Sequence, residues 1–366
     1  MTLLVVKVGT TLISSSTDFL DREKMNPIVE DIAYLAGRGI KVILVSSGAI
    51  GAGMGVLGLS ARPKLLPEKQ AVAAVGQSKL MHFYKELFNQ HGLRVAQILL
   101  TKDDLDDRRK YLNARNTLST LLRYEGIVPI VNENDTVAVD EIKFGDNDTL
   151  SAVVAAKMQA DLLIILSNVD GLYDCDPQKS ETRRLIEEVT DLSDDLKQMC
   201  GSASSETSVG GMAAKLEAAR IATLSGIGMV LANGERKHIL RKIFEGDCKC
   251  TYFHPRREAI SGRKRWIAFG SPPPGSVTVD SGARRALLQK GRSLLPSGVV
   301  EVSGEFSSGD IISVLDEDKK EIARGLANYS SAEVRKIKGL HTSKIPELLG
   351  TADYDEVVHR DNLAML

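Results

Sequence analysis

Residues 126–159 read GIVPIVNENDTVAVDEIKFGDNDTLSAVVAAKMQ, and this stretch decides the fold. The apolar run at 127–132 is short, rich in β-branched residues and bounded by Gly126 and a polar segment. A strand that is apolar throughout is covered on both faces. From 150 to 159 the apolar residues return at helical spacing, so strand gives way to helix. That alternation predicts a parallel sheet, and such sheets bind ligands beyond the carboxyl ends of their strands. The polar segment 132–148 lies at such an end. Its carboxamides and carboxylates cost free energy to desolvate unless a partner meets them.

Working outward, the same pattern repeats. Further strands are predicted at 3–9, 40–47, 94–100, 161–168 and 228–233, and helices at 27–37, 69–90, 111–126 and 212–226. The expectation for residues 1–255 is a three-layer α/β/α sandwich with a mostly parallel sheet. Near 254–275 the pattern changes. Pro272–Pro274 continue neither a helix nor a central strand, so residues 256–274 read as a linker. Residues 275–366 show period-two alternation punctuated by Gly and Asp, which predicts a small β-barrel. The Gly/Ser-rich segment 201–211 reads as a loop.

The chain has 366 residues, enough for two or three domains at roughly 150 residues each. Its formal net charge is −1, so no global field draws it to nucleic acid or membrane. Cys175, Cys200, Cys248 and Cys250 form no C-x-x-C pair, which argues against a zinc site and a disulfide framework. The apolar N-terminal run is short, contains Lys7 and lacks a basic region and cleavage site. No apolar run reaches about 20 residues. These features predict a cytoplasmic protein.

Four groups of residues could carry chemistry. Lys7 interrupts an apolar strand and is followed by Gly9, Thr10 and Thr11. It reads either as a cation aimed at a phosphate or as an edge-strand lysine reaching solvent. Gly53, Gly55 and Gly58 match G-x-G-x-x-G, but they follow the second strand and no second buried strand comes next, so the dinucleotide reading is weak. A turn bringing backbone N–H groups of Ser47 and Gly48 toward an anion fits better, with a plain strand–helix turn as the alternative. The segment 208–219, SVGGMAAKLEAA, opens a helix whose free N–H groups suit an anion, with Lys215 one turn in. With Lys7 it would make a two-cation clamp on a transferring phosphoryl group; alone it is a capped helix with a solvent-facing lysine. No Walker A motif is present. Within 132–148, Asp146 or Asp148 suits a helix N-cap, and the spacing of a Ca²⁺ loop is absent. A zwitterionic amino acid fits the cluster: Asp135 on the ammonium, Asn147 and backbone N–H groups on the carboxylate. Ordinary turns and caps explain the same residues.

Taken together, VVKVGT, VSSGAIGAG, VNENDTV, KFGDNDTLSA, GLY at 171–173 and GGMAAK resemble the amino acid kinase family over residues 1 to about 255, in its glutamate-phosphorylating branch. The segment from 276 resembles the PUA domain. The resemblance implies ATP and Mg²⁺, L-glutamate as acceptor, L-glutamyl 5-phosphate as product and a place in the first step of proline biosynthesis. It implies proline as feedback inhibitor, a homo-oligomer (dimer or tetramer) and possible hand-off to glutamyl phosphate reductase. It assigns ATP phosphates to Lys7 and Lys215 and the nucleotide site to Ser167, Asn168, Val209, Gly210, Gly211, Met212, Ala213, Ala214 and Lys215. It assigns glutamate to Ser47, Asp135 and Asn147, and supplies no protein metal ligand. Family members usually carry Thr-Asp where Ser167–Asn168 stands and Thr where Val209 stands, which alters polar contacts on the nucleotide side. The alternatives are a kinase for acetylglutamate or aspartate, or an RNA-binding protein. The last would use the PUA-like segment and the basic patch Arg256, Arg257, Arg263, Lys264, Arg265 and Trp266.

Overall fold

The computed structural model describes residues 3–15, 20–138, 147–174, 184–192, 211–256, 264, 267–268, 273–350 and 354–366. They belong to two units, Met1–Ala259 and Ile260–Leu366. In the first, the apolar runs form β1 (Leu3–Val8), β2 (Lys41–Ser46), β3 (Arg94–Leu100), β4 (Ile127–Glu133), β5 (Leu162–Ser167) and β9 (Gly228–Asn233). Short strands β6 (Leu172–Tyr173), β7 (Leu185–Ile186) and β8 (Glu188–Val189) lie between β5 and β9, and β10 (Cys250–Phe253) follows. The main sheet has the order β3-β4-β2-β1-β5-β9-β10-β8. From β3 to β9 all neighbours are parallel; β10 reverses against β9.

Period two sorts each strand between two helical layers. Leu4, Val6 and Val8 of β1 point into a core shared with α1 (Arg22–Gly37), α3 (Leu66–Asn89) and α8 (Ile239–Glu245). After α4 (Lys102–Asp106) and α5 (Arg108–Leu121), α6 (Asn147–Met158) packs on the opposite face against β1, β2, β4 and β5, and α7 (Met212–Leu224) packs on α6 and β9. Val5 and Lys7 alternate onto that second face. β1 is central: the chain moves from it to β2 on one side and later returns to β5 on the other. This places the topological switch point, where α/β sheets bind ligands, at the carboxyl ends of β1, β2 and β5.

After β2 the chain turns at Ser47 and Gly48 straight into a helix, α2 (Ala49–Leu57), entered at Gly48 with φ of 102° and left at Gly58 with φ of 65°. Gly53 serves close packing. A Cβ at Gly53 would lie 1.9 Å from the carbonyl oxygen of Val72, and one at Gly76 1.8 Å from that of Ala49. Thus α2 and α3 touch backbone to backbone, which only glycine permits.

The second unit has β11 (Gly275–Val279), α9 (Ser281–Lys290), β12 (Val299–Gly304), β13 (Ile311–Leu315), β14 (Glu321–Leu326), α10 (Ser331–Ile337), α11 (Ile345–Leu349) and β15 (Leu363–Met365). Its sheet, β12-β11-β13-β14-β15, is antiparallel except for β11 with β13. Val277, Val279, Ile312 and Val314 pack with Leu287 of α9 and Ile337 of α10 as its core. Ile267 and Ala268, within the stretch expected as linker, are buried, and the Ala268 carbonyl accepts a hydrogen bond from Arg324 at 3.2 Å. Of the basic patch, only Arg256 and Lys264 lie among the described residues; the loop 201–210 lies outside them. Among the described residues no helix is long and apolar enough to cross a membrane.

Candidate active site

Lys7 lies on the central strand, between β2 and β5, and is 6% exposed. It is therefore not an edge lysine reaching for water. A charge so buried needs a partner, and the partner is Asp148, in the first turn of α6, with 0% exposure. Its second oxygen takes Lys215 of α7, which donates from Nζ to Oδ2 at 3.0 Å and is 7% exposed. One carboxylate thus holds two ammonium groups that come from positions more than 200 residues apart in the chain. Burial pushes the Asp148 carboxyl toward its protonated form. The charges and hydrogen bonds of Lys7 and Lys215 outweigh that, and hold it below the usual carboxylate range. The sequence suggested only a helix cap for Asp148. Nothing in its immediate neighbourhood announces partners this distant.

Around this clamp lie further nucleotide-side candidates. A Cβ at Gly9 would stand 3.7 Å from Lys7 Nζ, so backbone runs close past the ammonium. Gly211 caps α7 without a side chain, and Met212, Ala213 and Ala214 form its first turn; the Ala214 N–H donates to the Gly211 carbonyl at 3.1 Å, while those of Met212 and Ala213 lack helical acceptors. Ser167 ends β5, buried, and its carbonyl accepts from Gly234 N at 2.8 Å. Asn168 is exposed, just beyond the strand. Val209 and Gly210 lie outside the described residues.

Asn147, the residue before Asp148, belongs to a second cluster. Its Nδ2 donates to Ser47 Oγ at 2.9 Å, to the Ser46 carbonyl at 3.1 Å and to Asn132 Oδ1 at 3.0 Å. It joins the ends of β2 and β4 through one amide. Ser47 stands immediately before the N-terminus of α2. Asp135 sits three residues past Asn132, in a turn closed by Ala138 N donating to the Asn134 carbonyl at 3.2 Å. It is half-buried, and burial pushes its carboxyl up to about 6, with the Arg62 charge opposing. Among the described residues no hydrogen-bond donor meets it. A carboxylate kept partly desolvated without a close cation is suited to receive one.

Behind this cluster runs α3, which the sequence reading treated only as a core helix. Three of its polar side chains, seven residues apart, face the site. Gln70 Nε2 donates to the Ala138 carbonyl at 3.3 Å, and Gln77 Oε1 accepts from Asn132 Nδ2 at 2.8 Å. Tyr84, fully buried, lies 2.8 Å from Ser46 Oγ. Seven residues is two turns less about 20°, so the three form one stripe. Burial pushes the Tyr84 hydroxyl up to about 12, the Ser46 bond opposing, which keeps it a donor. Spacing of seven among polar residues inside an otherwise apolar helix face was the available signal for these positions.

The two clusters therefore meet at the start of α6, Asn147 in one and Asp148 in the other. Among the described residues no group of three or more His, Cys, Asp or Glu side chains could cage a metal. The pair of ammonium groups suits the oxygens of an anion rather than a bare metal ion.

Residues 2–233 match the model of the amino acid kinase family, and 275–349 that of the PUA domain. Over 363 residues the chain is 51% identical to the glutamate 5-kinase of Thermoanaerobacter sp. (strain X514), covering 99% of this chain and 97% of that one. It is 48% identical over 364 residues to that of Carboxydothermus hydrogenoformans, with 99% and 97% covered. For Syntrophus aciditrophicus the identity is 46% over 363 residues, with 99% and 94% covered.

Proposed function

The chain belongs to the amino acid kinase family and ends in a PUA domain, and on that premise we propose that it transfers the γ-phosphoryl group of ATP to the side-chain carboxylate of L-glutamate. The product is L-glutamyl 5-phosphate, the activated acid that opens proline biosynthesis. One observation carries this reading: Asp148 gathers Lys7 and Lys215 on one side of α6 while Asn147, its neighbour, ties Ser47 and Asn132 on the other. Phosphoryl donor and acid acceptor then meet at one helix start.

The nucleophile is the substrate's own carboxylate. Its pKa of roughly 4 leaves it ionised at neutral pH, so no general base is required. A carboxylate oxygen forms a bond to γ-phosphorus as the bond to the β,γ-bridging oxygen breaks, and that oxygen leaves on ADP. Both reactants are anions, so the protein's work is positioning and charge neutralisation. Lys7 and Lys215 place positive charge beside the phosphoryl oxygens. Asp148 keeps their Nζ atoms oriented and offsets their mutual repulsion. The N–H groups opening α7 add donors. Mg²⁺ bound to the nucleotide supplies further charge neutralisation.

On the acceptor side Asp135 takes the α-ammonium, and Ser47 and Asn147 complete the glutamate pocket. An N-acylated acid has no ammonium and would leave Asp135 desolvated without its cation. By the same family resemblance, proline is a feedback inhibitor, the chain assembles as a homo-oligomer and the labile acyl phosphate passes to a reductase.

Hydroxylamine trapping tests the reading directly. With ATP and Mg²⁺, L-glutamate should give γ-glutamyl hydroxamate at a rate far above those with N-acetylglutamate or aspartate. A preference for either competitor, or no ATP-dependent hydroxamate, would overturn it.

A further inference from the structure

The hydrogen bonds behind the amino acid pocket fix which way its amides point. Amide oxygen and nitrogen look alike in most structures, and only their partners tell them apart. Here two backbone partners decide. Asn132 Oδ1 accepts from the Glu133 backbone N–H at 2.9 Å, so the other terminus of Asn132 is the donor. That donor reaches Gln77, so the Gln77 atom it meets is the carbonyl oxygen. Asn147 bonds the Ser46 backbone carbonyl, an acceptor only, so its contacting terminus is Nδ2. The same Nδ2 meets Asn132 Oδ1, which closes the chain Gln77–Asn132–Asn147–Ser47 consistently.

Two atoms are left over, Asn147 Oδ1 and Gln77 Nε2. Both are buried, and among the described residues neither has a hydrogen-bond partner. Asn147 itself is only 8% exposed. A buried carbonyl oxygen without a donor is costly. The sequence reading placed Asn147 on the substrate's carboxylate, but its remaining atom is an acceptor and cannot bond an anion. It suits an ammonium.

We propose that Gln77 is a positioning residue for the amino acid: by accepting from Asn132 it holds Asn132 Oδ1 on Asn147 Nδ2 and steadies an amide whose orientation the Ser46 carbonyl sets, so that Asn147 Oδ1 faces the substrate's α-ammonium together with Asp135. This rests on the glutamate-phosphorylating reading and deepens it. Gln77 acts from α3 through two amides rather than by contact. The anchoring of α3 supports the role. Gly76, its neighbour, is pressed against the Ala49 carbonyl, and Gln70 and Tyr84 hold the pocket's flanks from the same stripe. Without Gln77, Asn132 Nδ2 has no acceptor there, and Asn132 is held only through its Oδ1, by the Glu133 N–H and Asn147.

The test compares Gln77→Met, which keeps volume and removes the acceptor, with Gln77→Glu, which keeps an acceptor for Asn132. Steady-state kinetics give kcat and the KM values for glutamate and ATP. Glutarate, which lacks the α-amino group, serves as a competitive inhibitor. Wild-type turnover of glutamate is the control for the reading beneath; its absence would sink that reading separately. The expected result for Gln77→Met is a glutamate KM raised about tenfold, the fold-change worth one such hydrogen bond. Its kcat, its ATP KM and the glutarate inhibition constant should stay within about twofold. Gln77→Glu should recover a glutamate KM within about threefold of wild type. If Gln77→Met does not fold, Gln77→Ala replaces it in the same comparison. A wild-type glutamate KM in the acceptor-deleted variant would overturn the proposal. So would parallel weakening of glutarate, which means the pocket is merely deformed. A Gln77→Glu variant as impaired as Gln77→Met would also overturn it, by placing the role on Nε2.

Discussion

Replacing Asp148 by Asn tests the clamp with little change of shape. The carboxylate bonds Lys215 at 3.0 Å and Lys7 more closely still, with all three groups buried. At an effective dielectric near 20, unit charges about 3 Å apart attract by about 5 kcal/mol. Two such contacts are gross gains, and the desolvation of three ions cancels most of them. The asparagine loses both attractions but not the desolvation of the lysines. It leaves two like-charged ammonium groups facing one neutral amide, and their repulsion adds to the cost. The unliganded variant should therefore be less stable by about 3–5 kcal/mol, the usual cost of orphaning a buried charge. Nucleotide phosphates can take over the carboxylate's role, so Mg·ATP should raise the variant's unfolding midpoint more than it raises the wild type's. In catalysis the lysines lose their fixed orientation, and kcat should fall about 10²–10³-fold, as when one preorganised donor is removed. The ATP KM should not rise, since the site has become more positive. Urea unfolding with and without Mg·ATP, and hydroxamate formation at saturating substrates, measure the two halves. A folded Asp148→Asn enzyme with kcat within threefold of wild type would refute the reasoning.

Other expectations follow from the same geometry. Lys7→Ala and Lys215→Ala should each lower kcat about 10²–10³-fold in the hydroxamate assay. The Asp135 carboxyl, raised to about 6 by burial, must be ionised to hold an ammonium. Thus kcat/KM for glutamate should be flat above pH 6 and fall about tenfold per unit below it, and Asp135→Asn should flatten that profile while raising the glutamate KM steeply. Because the folded-state value lies above the unfolded one, ionising Asp135 destabilises the fold as pH rises from 4 to 6. Asp135→Asn should therefore be more stable than wild type at pH 7, by about 1–2 kcal/mol, in denaturant titrations. Gly76→Ala forces a Cβ to 1.8 Å from the Ala49 carbonyl oxygen; it should cost about 3 kcal/mol or more in unfolding free energy.

The strands of the main sheet were legible because buried parallel strands are uniform apolar runs, and β1, β2, β3, β4, β5 and β9 are that kind. Lys7 stood out for the same reason, as a charge in the interior of such a run rather than at its end. The glycines of α2 carried a second role that a local pattern does not announce, since Gly53 serves a helix contact with residues near 72. Asp148 and Gln77 were opaque for another reason. An acidic residue near a helix start reads as a cap, and a glutamine in a long helix reads as surface. What defines them is pairing across 141 residues to Lys7 and across 55 to Asn132, and no local pattern encodes that distance. The paired lysines were legible as types, and only the fold shows that one carboxylate joins them.

The most direct measurement follows oxygen. Glutamate carrying ¹⁸O in both side-chain carboxylate oxygens is turned over with unlabelled ATP, and the acyl phosphate is discharged with hydroxylamine. If the carboxylate attacks γ-phosphorus, the phosphate released carries one ¹⁸O and the hydroxamate appears in equal amount. Phosphate free of ¹⁸O would mean that water, not glutamate, receives the phosphoryl group, and would contradict the account.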